Sequence, residues 1–250
     1  MTTNSENNPR KYQDLIFRPE FENLRLNFPH GFTWIRILPG LHGSAYGALL
    51  PILVLEFPGG RFVDPASFDP NKRSAYDVAL EWFRKNAPGA LYSKGHKTGY
   101  RLWPAKICAF WVIEHSEQEN HSLRLVLESF NDGTNGPVGL AREIWRKIFE
   151  KDENGERMGN ALHPDDGVMV CVERRKRKNA PPLDWVRLGR IPQNVDAMLE
   201  KVSPVESSVL CPLERVIYEP TVDEQWEYLG RLITPQLAAQ IRATAKRRRV

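Results

Sequence analysis

Cysteine is scarce in this 250-residue chain: there are three, Cys108, Cys171 and Cys211. They lie far apart, with neither a disulfide framework nor a paired metal-ligand spacing, so buried, reduced thiols are expected. Long apolar runs are missing too. No stretch approaches the roughly eighteen apolar residues that a membrane span needs, and the polar opening Met1–Arg10 has no apolar signal core. The expectation is a soluble, cytoplasmic protein without membrane contact. No Gly-rich loop ends in Gly-Lys-Ser/Thr, no Gly-x-Ser-x-Gly elbow occurs, and no paired-histidine motif is present, which argues against the nucleotidase, hydrolase and zinc-protease classes built on them. A charge excess of one sign is also lacking, because 35 basic residues meet 31 acidic ones for a net charge of +4.

What charge there is comes in clusters. Arg174, Arg175, Lys176, Arg177 and Lys178 are consecutive, and Lys246–Arg249 follow near the C-terminus; either run suits phosphate, and either alone is equally a solvated turn or tail. Hydrophobic patterning supplies the frame. Phe32–Pro39 alternates Ile35 and Ile37 against Trp34 and Arg36, a strand with one apolar face and one aromatic and cationic face. Leu49–Phe57, Ile107–Glu114, Leu123–Ser129, Val168–Arg174 and Asp184–Leu188 read as further strands, Ile107–Glu114 being apolar on both faces. Helical spacing marks Ser74–Lys85, Val138–Lys151, 195–202 and a final helix from Asp223 or Pro235 onward. The order is mainly β with inserted helices: an N-terminal arm over 1–30, a Greek-key barrel of the OB type over 31–191, and a partly helical C-terminal extension over 192–250.

Such barrels hold extended single strands in a cationic groove, with rings stacking on bases for about 1–3 kcal/mol each. This chain couples ring to cation repeatedly: Trp34 with Arg36, Tyr100 with Arg101, Trp103 with Lys106, Trp185 with Arg187. The expected interface assigns phosphate contact to Arg101, Lys106, Arg187 and the five cations from Arg174 to Lys178, and stacking to Trp34, Trp103, Phe110 and Trp185. Trp82, Phe83, Trp145 and Phe149, on helices, are expected in the core.

Four segments resemble one family. Trp34–Pro39, Arg101–Ile113, Gly139–Trp145 and His163–Arg175 are similar, in order and spacing, to the entry segment, basic approach strand, inserted helix and aspartate-rich turn of the T-even-phage type of single-stranded DNA-binding protein. The resemblance spans about residues 32–190. It implies a non-catalytic, cooperative coat on single-stranded DNA during replication, recombination and repair, with replication or recombination proteins as partners and the host cytoplasm as location. Two departures stand out. The family's zinc-binding element would fall within Ala75–Gly99, where His96 is the lone candidate ligand against the four of a structural zinc site, so neither metal nor cofactor is expected. The family's acidic tail is replaced by Lys246–Val250, leaving Glu214–Glu227 as the acidic surface.

Two rivals differ in class. A metal-dependent nuclease would draw on Asp165, Asp166, Glu173 and Lys176, but the residue two places after Glu173 is Arg175 rather than lysine, and a turn accounts for the aspartates. A regulatory protein would use the same aromatic surface as a protein interface.

Overall fold

The computed structural model describes residues 13–41, 48–92, 99–115, 121–131, 138–151, 161–178 and 180–247. The basic loop 93–98 and the end of the C-terminal tail lie outside these, as do the side chains of Arg177, Lys246 and Arg247. The strands are β1 (Gln13–Leu15), β2 (Gly31–Ile37), β3 (Leu50–Phe57), β4 (Gly60–Val63), β5 (Ala105–Glu114), β6 (Ser122–Ser129), β7 (Val168–Arg177) and β8 (Ala180–Pro192). The α-helices are α1 (Ala75–Asn86), α2 (Leu140–Phe149), α3 (Val195–Leu199), α4 (Pro204–Ser207), α5 (Leu213–Val216), α6 (Val222–Ile233) and α7 (Pro235–Arg247). The protein is thus mixed β and α; β2 with β5, β2 with β7, β3 with β4, β5 with β6 and β7 with β8 pair antiparallel, and β1 pairs parallel with β4.

Two compact units are assembled from alternating segments: the first from Met1–Phe17, Leu53–Ala105 and Tyr218–Val250, the second from Arg18–Ile52 and Lys106–Ile217. The expected boundaries near 30 and 191 follow chain order, whereas these units follow cores shared by distant segments. In the first unit β4 pairs with β3 and β1, and the tight β3–β4 turn carries Gly59 at φ +97°, a conformation that penalises any Cβ. α1, α6 and α7 bury Tyr76, Phe83, Leu229, Ile233 and Ile241 in one cluster with Phe57 and Phe62. Both α1 and α6 start with a reciprocal capping box, Ser74 with Asp77 and Thr221 with Glu224. The C-terminal helices therefore complete a core rather than extend past one.

The second unit carries the ladder β6-β5-β2-β7-β8, antiparallel throughout, with α2 between β6 and β7 in sequence. Period-2 alternation sends Ile35 and Ile37 of β2, Val168, Val170 and Val172 of β7, and Val186 of β8 into a single cluster. Ile144 and Ile148, on the apolar stripe of α2, join it. Strand β5 is buried along nearly its whole length, as its two apolar faces led one to expect. Among the described residues β6 and β8 do not pair with each other, so the ladder is open and the closed barrel is not formed.

Candidate functional site

The face of β2, β7 and β8 opposite the core is aromatic and charged. On β2, alternation points Phe32 and Trp34 away from the cluster that holds Ile35, leaving Phe32 63% and Trp34 39% exposed. Register then lines up Phe32, Glu173 and Trp185 across the three strands, and Trp34, Cys171 and Arg187 in the next row. Trp185 is 49% exposed. With strands about 4.8 Å apart, Phe32 and Trp185 flank Glu173 on either side. A Cβ at Gly189 would stand 3.6 Å from Cζ3 of Trp34, so the indole lies against bare backbone of β8. Isolated exposed rings are ordinary; three on one sheet face are not.

Glu173 is the electrostatic centre of this face. It is 7% exposed, and its two carboxylate oxygens accept separately from Arg175 Nε (2.5 Å) and Arg187 Nη2 (2.9 Å). The hydrogen bond from Arg175, with the charges of Arg175 and Arg187, holds the Glu173 carboxyl below its ordinary value. Arg175 also lies over the Trp185 ring at 5.4 Å, a cation–π contact. Two guanidinium groups against one carboxylate leave the cluster a net cation, and both arginines remain solvent-exposed.

Several residues expected at the interface are elsewhere. Arg36 shares the side of β2 with Trp34, yet it is fully buried. Its Nε donates to Gln193 O at 3.0 Å, Nη1 to Ile37 O at 2.9 Å and Ala161 O at 2.5 Å, and Nη2 to His163 O. Burial brings its pKa down to about 10, which still leaves it charged at neutral pH. Arg36 is therefore a bolt joining β2 to the 161–167 turn: four of its five N–H donors go to carbonyls, and the group is buried out of reach of phosphate. Gly167 makes room for it: a Cβ there would fall 2.2 Å from Arg36 Nη2. Phe110 is a correction of the same kind, fully buried with Cys108, Val112 and Ile144 because its parity on β5 faces the core.

The basic quintet is divided by strand parity. Arg175 faces the aromatic side; Arg174 points the other way, paired with Asp184 at 2.8 Å and Glu128 at 3.6 Å and bonded to Phe28 O, so it is a structural cation rather than a phosphate contact. Lys176 and Lys178 are exposed, and the side chain of Arg177 lies outside the described residues. Lys106 is exposed at the start of β5. Tyr100, Arg101 and Trp103 belong to the first unit, where Tyr100 packs beside Phe83 (5.5 Å) and Trp103 edge-on to Tyr92 (5.7 Å) while Arg101 is exposed. The structure thus brings together Trp34, Arg175, Trp185 and Arg187, and adds Phe32 and Glu173. Phe32 could have been found in the sequence, since it stands two residues before Trp34 on the same strand.

The acidic residues of the nuclease alternative do not converge on an open site. Asp165 and Asp166 sit in a turn whose backbone amides donate to His163 Nδ1, and Asp165 accepts from Asn194, whereas each oxygen of Glu173 accepts from an arginine. Among the described residues no group of three or more His, Cys, Asp or Glu side chains is placed to hold a metal ion. None of the described helices is long and apolar enough to cross a membrane. No family model matches the chain, and no curated protein matches it in sequence.

Proposed function

We propose that the chain binds single-stranded DNA without catalysis, on the outer face of β2, β7 and β8. The observation that carries this is the exposure of Phe32, Trp34 and Trp185 on one sheet face beside Arg175 and Arg187. Rings that bases can stack on, next to cations that phosphates can meet, are the two parts a sequence-tolerant single-strand site requires. The ladder supports the reading too. Five antiparallel strands with a helix between the third and fourth match an OB-type sheet, here left open between β6 and β8, and such barrels are often only partly closed. In this reading the protein coats strands exposed during replication, recombination or repair, as the resemblance to the T-even-phage type implies, and replication proteins and further copies of itself are its partners.

The test is tryptophan fluorescence titrated with a mixed-sequence oligonucleotide, single-stranded and annealed, across a salt series. Quenching by the single strand alone, weakening with salt by a slope near −0.7 per neutralised phosphate, is expected. Equal binding of duplex, or no binding, would sink the proposal and favour a protein interface on the same face. Shortening of the strand on adding magnesium or manganese would point to the nuclease instead.

A further inference from the structure

We propose that this face selects among bases, favouring guanine and disfavouring thymine, and that Glu173 is the residue that discriminates. The inference rests on the single-strand reading above. Stacking rings alone accept every base, because every base has a π face. Here, though, the residue between two of the rings is a carboxylate: register places Glu173 directly across from Phe32 on one side and Trp185 on the other. A base lying on either ring turns an edge toward it.

An ionised carboxylate only accepts hydrogen bonds, and its two oxygens offer about four lone-pair positions. Arg175 and Arg187 take one position on each oxygen, Oε1 and Oε2 respectively, which leaves one on each. The two arginines also keep the group ionised and fix its plane. Two acceptors side by side match two donors side by side, and among the four bases guanine alone presents that pair, N1–H and the N2 amine. Cytosine and adenine offer one amine next to a ring acceptor. Thymine offers a single N–H between two carbonyl oxygens, which the carboxylate repels. The ranking is therefore guanine first and thymine last, the reverse of indifference and unfavourable to the oligo-dT strands commonly used as neutral ligands.

The experiment measures fluorescence anisotropy of labelled eleven-residue strands with the full chain in lithium buffer: all thymine, the same strand with one central guanine, and the same with inosine, which lacks the N2 amine. One bidentate base contact corresponds to about 5- to 150-fold in affinity. The guanine strand should bind tighter than the thymine strand by an amount in that range, with inosine in between. In Glu173→Gln the readout is the guanine-to-thymine ratio rather than the overall affinity, which Arg175 and Arg187 also set, and that ratio should fall to near one. Equal affinities for the three strands in the wild-type protein, or an unchanged ratio in Glu173→Gln, would overturn the role of Glu173 and leave single-strand binding standing. The inosine comparison needs no variant, so a poorly folded Glu173→Gln does not spare the proposal. Failure of every strand, mixed sequence included, would remove the single-strand reading itself.

Discussion

Gly167→Ala is expected to unfold the protein far more easily than an alanine in a turn normally would. A Cβ at this position would sit 2.2 Å from Arg36 Nη2 and 2.4 Å from His163 O, both well inside any tolerable contact. Either the guanidinium leaves its place or the 161–167 turn opens, and both routes break the bonds from Arg36 to the carbonyls of Ala161 and His163. Hydrogen bonds to a charged group contribute about 1.5–3 kcal/mol each, so losing two costs about 3–6 kcal/mol. A buried cation deprived of its partners makes the upper part of that range the better expectation. For a chain of this size the lower part already lowers Tm by about 6 °C. Urea and thermal unfolding followed by circular dichroism measure it. Arg36→Ala provides the control: with the guanidinium gone, one of the two clashes disappears, so the double variant should be less destabilised than the sum of the single ones. A Gly167→Ala protein within about 0.5 kcal/mol of wild type, or strict additivity with Arg36→Ala, would refute the reasoning.

Trp34→Ala and Trp185→Ala should each weaken single-strand binding by about 5- to 150-fold, the worth of one stacked base, with little change in Tm. Phe110→Ala should do the opposite, costing about 3–5 kcal/mol in urea unfolding because it empties a site in the core. Glu173 has its folded pKa depressed below the ordinary 4.5, so its contribution to stability is present above that value and drains away as pH falls through the folded pKa. An acid titration of stability should accordingly be shallower below pH 4.5 in Glu173→Gln than in wild type, and identical acid limbs would contradict the ion-pair assignment. Burial pushes the Cys108 thiol up to about 12 and raises that of Cys171 as well, so both should resist a disulfide reagent at pH 8 until the protein unfolds. Rapid native-state labelling of Cys108 would show that the core is more open than described, and of Cys171 that its cover on the outer face is.

Local periodicity carried six of the eight strands, the inserted helix and the terminal helices, because alternation and 3.6-residue spacing are properties of short segments; the short β1 and β4 hold too few residues to show a period. It also placed Trp34 and Trp185 on strands at the right parity. What it could not supply was the partner on the far side. Arg36 and Trp34 look alike in the sequence, two residues apart on one strand face, and only the carbonyls of Ala161, His163 and Gln193, more than a hundred residues away, decide that one is interior and the other exposed. Phe110 was ambiguous for the same reason, with apolar neighbours on both faces of β5. Glu173 stood in view beside Arg175, but Arg187 reaches it only through the β7–β8 register. The two-unit division, in which 218–250 joins 53–105, is likewise a long-range pairing that no window of the sequence contains.

The alternation of β7 makes its length as consequential as its composition. Arg174 and Arg175 are chemically identical and adjacent, yet one is matched to Asp184 and Glu128 and the other to Glu173 and Trp185. Inserting or deleting a single residue ahead of them would exchange their faces, sending a valine out to solvent and a glutamate into the core. The exposed Lys176 and Lys178 are open to substitution, whereas Arg174 and Arg175 are held by their partners and insertions or deletions ahead of them are closed, so related sequences should vary at those two lysines far more than in how many residues precede them.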